Sequence, residues 1–317
     1  MVALRVLPVV VLVGVATFVL ALVRRRTVAV PAADHAEVVR VARRTRTLRA
    51  LGLAVGAALA LLVLVGGQAL DALGRITSLA PAVLGAGVLL GTVVGELTAR
   101  PRVGARRSAA VETRTVRGVL PRTWTALATG SATVLGAALL LGIAWGSADD
   151  LGRAGRSFAV TCTQVIDGTA VQIGSSRGPW PGSYYAVPLL GALLVLGLLA
   201  ALALVAVVRR PRPSVDSLDL DTLLRRGAAA NVLTATTFSA LATLAPVALF
   251  IASGLADSGC ASTPLQSAVG WAAWVVAPLA LAGAAAALGM LLAGPVIRVA
   301  DQQAAGSGVA AEGTPVR

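Results

Sequence analysis

The chain has 317 residues, 57% hydrophobic and only 13% charged, with a mean hydropathy of +0.84. A soluble domain of that length has too little interior to hide so much apolar surface, so the composition excludes a water-soluble globular fold. The net charge of +13 comes from 27 arginines and no lysine, but these arginines flank apolar runs. Membrane topology and anionic lipid account for them, which sets nucleic acid aside as a partner.

Seven apolar runs reach the ~20 residues needed to cross about 30 Å of hydrocarbon. They cover roughly 6–23, 50–70, 76–95, 124–145, 186–208, 232–255 and 268–294. A spanning segment must satisfy its own backbone hydrogen bonds, so the expected fold is an all-α membrane protein. Residues 1–300 form a single transmembrane bundle, and 301–317 a disordered cytoplasmic tail.

Span one is followed directly by Arg24, Arg25 and Arg26 and preceded only by Arg5. Cytoplasmic loops carry the arginine excess, so this span runs from outside to inside. The basic residues follow the apolar run, the reverse of a cleaved signal peptide, so the helix is expected to be retained. Residues 34–49 read as a basic amphipathic helix lying along the inner membrane surface before span two. His35 is the only histidine; with no second ligand beside it, it reads as an exposed polar residue, not a metal ligand.

Span three carries Gly87, Gly91 and Gly95, a small-residue ridge for close helix contact, either inside the protein or with a partner. Trp124 and Trp145 bracket span four as interfacial anchors. The largest outer loop, 146–185, holds two β-prone runs, SFAVTCTQV and TAVQIG, separated by Ile166-Asp167-Gly168. Asp-Gly signals a tight turn, so a small extracytoplasmic β-hairpin over the bundle is expected. Trp180, Tyr184 and Tyr185 then mark the outer mouth of span five.

Pro211 and Pro213 end span five, and Asp216 or Ser217 is suited to cap a new helix. Asp219 and Asp221, answered by Arg225 and Arg226, read as helix-end electrostatics instead of a metal–nucleotide pair. On span six Thr236, Ser239 and Thr243 share a face just before Pro246. They serve helix packing or line a polar pathway, and packing is favoured. Trp271 and Trp274 open span seven.

In all, 22 of the 27 arginines fall on one side of these spans. That gives seven crossings, with the N-terminus outside and the C-terminus inside. The only two cysteines, Cys162 in the hairpin and Cys260 in the 256–267 loop, then both lie outside. A disulfide between them is expected on that oxidising side.

Spans one to three resemble spans five to seven, best in LAPAVLGAGVLLG (79–91) against VAPLALAGAAAALG (276–289). Both triplets start outside, so the repeat is parallel, in a 3+1+3 order like that of parallel-repeat sugar transporters. Layout alone does not transfer function. The segments GELTARPRVGARRSAAVETRTVRGVLPR (95–122) and PGSYYAVPLL (181–190) resemble an uncharacterised family of actinobacterial multi-pass membrane proteins. That resemblance implies a membrane-embedded fold and no particular activity.

No Asp, Glu or His lies within any expected span; Asp71, Glu96 and Asp257 sit at span ends. The phosphate-binding loop and the serine- and zinc-hydrolase signatures are missing too. No enzyme activity, cofactor or metal is therefore expected. The reading is a multi-pass cell-membrane protein acting as a non-catalytic component: a scaffold, sensor or complex subunit. Its inner arginines would meet anionic headgroups, and its helix faces a membrane-protein partner or a second copy. The alternative is a transporter or permease for a small neutral or amphipathic solute. A water-accessible midplane cavity favours transport, and a solidly packed bundle the partner role.

Overall fold

A computed structural model of the chain describes residues 27–31, 36–70, 73–99, 116–167, 169–211, 218–256, 263–293 and 296–300, with helical Ala16 and Val19. The rest of the expected first span, His35, Cys260 and the tail 301–317 lie outside the described residues. The helices are α1 (Ala36–Leu70), α2 (Ala80–Leu97), the single turn α3 (Val116–Val119), α4 (Arg122–Trp145), α5 (Ser183–Arg209), α6 (Leu218–Ala256) and α7 (Pro264–Ala293). The strands are β1 (Thr27–Pro31), β2 (Phe158–Ile166), β3 (Thr169–Arg177) and β4 (Val296–Ala300). Six helices among the described residues are long and apolar enough to cross a membrane, as befits a multi-pass membrane protein.

Two helices are longer than expected. The amphipathic segment 34–49 is not a separate surface helix: α1 runs unbroken from Ala36 to Leu70. Nothing between Arg43 and Leu53 stops a helix, and Thr45 and Thr47 donate their hydroxyls to carbonyls of the preceding turn. Likewise α6 begins at Leu218, well before the apolar run, and continues through Pro246 to Ala256. At 1.5 Å per residue, α1 and α6 are about 50–60 Å long, well over the hydrocarbon thickness.

α6 is the centre of the bundle. Two-thirds of its most apolar window is buried (67%), against 11% for α1, which stands at the edge. One apolar cluster joins Leu139 of α4, Leu189 of α5, Leu244 and Ile251 of α6, and Ala277 of α7. A second joins Leu89 of α2, Ala203 of α5, Val232 and Phe238 of α6, and Leu291 of α7. The most extensive helix contacts are α6 with α7 and α1 with α2. Buried Ala273, Ala277, Ala280, Ala284 and Ala287 line one side of α7, the small-residue seam that close packing in lipid favours.

Gly87, Gly91 and Gly95 turn this ridge inward, against α1. A Cβ on Gly91 would stand 2.9 Å from Gly52 Cα, and one on Gly56 would stand 3.1 Å from Gly87 Cα. Gly95 sits over Thr45 with more room, at 3.4 Å.

β2 and β3 pair antiparallel from Phe158–Arg177 to Ile166–Thr169, and the chain turns at Asp167. Asp167 has φ +50°, the left-handed conformation that a primed hairpin turn needs. Only the base of the hairpin packs on the bundle: Phe158 is buried, while Val165 near the tip is 73% exposed. Trp180 is not an interfacial anchor. It is wholly buried, stacked on Phe158 at 4.8 Å, with Nε1 donating to Gly142 O at 2.8 Å. Its ring leaves no room for a side chain at Gly254.

A second pairing is absent from the sequence expectation. β1 and β4 form a parallel two-stranded ladder, Thr27 opposite Val296 through Pro31 opposite Ala300. Between them lie six candidate crossings among the described residues, an even number that agrees with both strands lying at one end of the bundle.

Candidate functional site

The helices sort their termini into two ends with different chemistry. One end holds the hairpin. There Tyr185 donates to Leu73 O at 2.7 Å, and the Arg75 guanidinium lies 5.1 Å over the Tyr184 ring. Asp149 organises the adjoining loop. It accepts from the backbone N–H groups of Leu151 and Arg153, from Arg153 Nε at 2.7 Å and from Arg156 Nη1 at 2.8 Å. Burial opposes the charged form of Asp149, but the hydrogen bonds from Arg156 and Arg153 outweigh it and hold the carboxyl well below the usual carboxylate range. The Arg156 guanidinium is pushed up, chiefly by its hydrogen bond to Asp149 and next by one to Tyr185.

The other end is rich in arginine and contains a buried ion network. Arg210, just past α5, places Nη1 3.0 Å from Glu96 Oε2 of α2 and Nη2 2.9 Å from Asp221 Oδ1 of α6. The second Asp221 oxygen accepts from Arg225 Nε at 2.7 Å. All four side chains are at most 6% exposed. Arg225 also donates to Val207 O, Val208 O and Arg210 O, carbonyls at the end of α5 that have no intrahelical partner. Two guanidinium groups and two carboxylates thus neutralise one another while closing α5 onto α6 and α2. Helix C-termini favour cations, which is the local reason for Arg225.

Beside this network is a cavity of about 200 Å³ between the first turns of α1 and of α6. Its walls are mainly apolar, with Val38, Ala42, Leu220 and Leu224 prominent, and Glu96 and Arg210 reach its floor. Arg43, Arg46 and Arg49 of α1 also line it. Spacing of three keeps them on one side of the helix. Among the described residues, no carboxylate forms an ion pair with any of the three.

No protein-family model, curated protein or solved structure matches this chain. The site must therefore be read from its own residues.

The sequence-derived candidates do not converge on this cavity. Thr236, Ser239 and Thr243 lie on α6, where each hydroxyl donates to a carbonyl four residues back. Ser239 also donates to Pro81 O at 3.0 Å, bridging α6 to α2, and it fills the space beside Gly85. Gly87, Gly91 and Gly95 belong to the α1–α2 contact. Cys162 sits in β2 opposite Ile173 and is not a free thiol. Among the described residues, no group of three His, Cys, Asp or Glu side chains gathers as a metal site.

The network itself was not foreseen. In the sequence Glu96 marks only a span end, and the arginines only a side of the membrane. The available signal was Asp221 and Arg225 at i, i+4, together with an acid at the end of span three on the side that topology assigns to arginine.

Proposed function

We propose that this protein is a non-catalytic component of the cell membrane, a scaffold, sensor or complex subunit. Its arginine-rich end faces the cytoplasm and its hairpin faces outward. The observation that carries this reading is the packing of α6: the most polar mid-helix face in the bundle spends its hydroxyls on backbone carbonyls and on the α2 contact. Small hydroxylated residues used this way hold helices together. Positive-inside bias supports the orientation, and the even number of crossings between β1 and β4 is compatible with it. With span 6–23 added, the chain crosses seven times, from an outer N-terminus to an inner C-terminus. A disulfide from Cys162 to Cys260 then pins the middle of the hairpin to the α6–α7 connection, in keeping with the bonded state of Cys162.

The parallel repeat belongs to the same reading. Its second and third members correspond to α1–α2 and α6–α7, the two closest helix pairs. Pro81 and Pro278 each stand about four turns before the end of their helix. The resemblance of 95–122 and 181–190 to actinobacterial multi-pass proteins agrees with a membrane role and names no substrate.

A permease for a small neutral or amphipathic solute is the second reading. It is favoured by the ion network, which ties α2, α5 and α6 at one end only, as a gate would. Purification of the full chain in mild detergent, followed by reconstitution into liposomes, separates the two. The component reading expects a stoichiometric membrane partner or a defined homo-oligomer, and no solute flux above that of empty vesicles. Saturable uptake of any neutral solute overturns it in favour of the permease.

A further inference from the structure

We propose that the cavity between α1 and α6 is a binding site for one anionic phospholipid of the inner leaflet. Its phosphate would sit among Arg43, Arg46 and Arg49, with the head of an acyl chain along the apolar wall.

Three observations converge. First, none of the three arginines lining the cavity is within ion-pair distance of a carboxylate among the described residues, and Arg49 feels Glu96 only at longer range. Glu96 and Asp221 are instead committed to Arg210 and Arg225. The site therefore carries a net excess of positive charge beside the Arg210–Glu96–Asp221–Arg225 network, and charge complementarity selects an anion.

Second, the walls are wrong for a small free anion. Most of the surface they expose is apolar, from residues such as Val38, Ala42, Leu220 and Leu224, and such a surface gains from an apolar chain, not from hydrated phosphate. A ligand with an anionic head and a hydrocarbon body satisfies both halves.

Third, the depth is right. Arg49 immediately precedes the apolar run of α1, and Arg43 lies about 9 Å further along the axis at 1.5 Å per residue. The headgroup layer adds roughly 5–8 Å to each leaflet. The arginine ladder therefore spans the level at which lipid phosphates lie, and basic pockets between helices are suited to that chemistry.

Gly227 allows a test that leaves the charges alone. It lines the cavity, and a Cβ there would meet nothing within 4 Å. Gly227→Leu should fill the acyl space while raising the helix propensity of α6. Detergent-purified, delipidated full-length protein is given phosphatidylglycerol, phosphatidylcholine of the same chains, or inorganic phosphate, and bound ligand is counted by native mass spectrometry. Phosphatidylglycerol should be retained about 10–30-fold better than phosphatidylcholine. Arg46→Gln/Arg49→Gln and Gly227→Leu should each abolish most of that preference. Gly227→Ala and Arg122→Gln, an exposed arginine at the same end but off the cavity, should keep it.

Equal retention of the two lipids, or retention unaffected by Gly227→Leu, overturns the proposal. Inorganic phosphate bound with the same arginine dependence and indifferent to Gly227→Leu overturns it too, because the site is then for a free anion. If the double arginine variant fails to fold, Gly227→Leu decides alone. The result stands apart from the component-or-permease question, which the flux and partner measurements address.

Discussion

Arg210 and Glu96 are 114 residues apart in sequence, yet their side chains meet at 3.0 Å with both 2% exposed. Removing one member of a buried ion cluster strands the charge left behind, at about 3–5 kcal/mol. Asp221 bridges Arg210 and Arg225, whereas Glu96 contacts Arg210 alone. Asp221→Asn should therefore destabilise by about 3–5 kcal/mol, and Glu96→Gln by less, because Arg210 keeps Asp221. Thermal unfolding in detergent checks the order. A double-mutant cycle of Glu96→Gln with Arg210→Met should show coupling, since the double variant leaves no cation stranded against the lost carboxylate. Additive losses would mean that the pair does not act as a unit.

The glycines separate into two sets that a single substitution distinguishes. Gly87→Ala and Gly91→Ala push a methyl into the α1 backbone and should cost about 1–3 kcal/mol, as over-packing does. Gly136→Ala and Gly197→Ala point into open space and should be neutral or stabilising by up to ~1 kcal/mol through helix propensity. Protease resistance of the α1–α2 connection should fall only in the first set.

The Asp149 loop carries a pH signature. A carboxyl depressed on folding contributes stability in full above its unfolded pKa of about 3.9, and that contribution fades as pH falls through the folded value. Limited proteolysis of 147–157 should be unchanged from pH 8 to pH 5 and rise only under strong acid. In Asp149→Asn the loop should be cut readily at neutral pH, and acid should add little.

Orientation and the cysteines share one experiment. A membrane-impermeant thiol reagent should leave the untreated protein unlabelled. After reduction, Cys162 and Cys260 should both label from outside the cell. A reporter fused after Gly152 should read as extracytoplasmic. Labelling without reduction removes the disulfide, and a cytoplasmic reporter signal reverses the topology.

Much of this fold is local and so is written locally. Six spans follow from apolar length, the hairpin from Asp167-Gly168, and the α1–α2 contact from the spacing of Gly87, Gly91 and Gly95. What escaped the sequence depends on neighbours distant in the chain. Leu218–Asn231 looks polar beside the apolar run, yet it continues as helix because Asp221 and Arg225 are satisfied by Arg210 and the end of α5. Trp180 resembles an interface anchor until Phe158 and Gly254 are brought against it. TVAVP and VIRVA are five-residue segments that mean little until they meet.

That meeting has a consequence for how the protein is made. β1 leaves the ribosome before α1, and its partner β4 only after α7. At 5–20 residues per second, the interval is on the order of tens of seconds. Throughout it, Thr27–Pro31 is an open strand edge beside a membrane still receiving helices. The ladder can close only when α7 is in place, so its formation follows the insertion of all six long helices: a ribosome stalled in α7 should leave β1 open to chaperones and proteases, and one that has passed well beyond β4 should not.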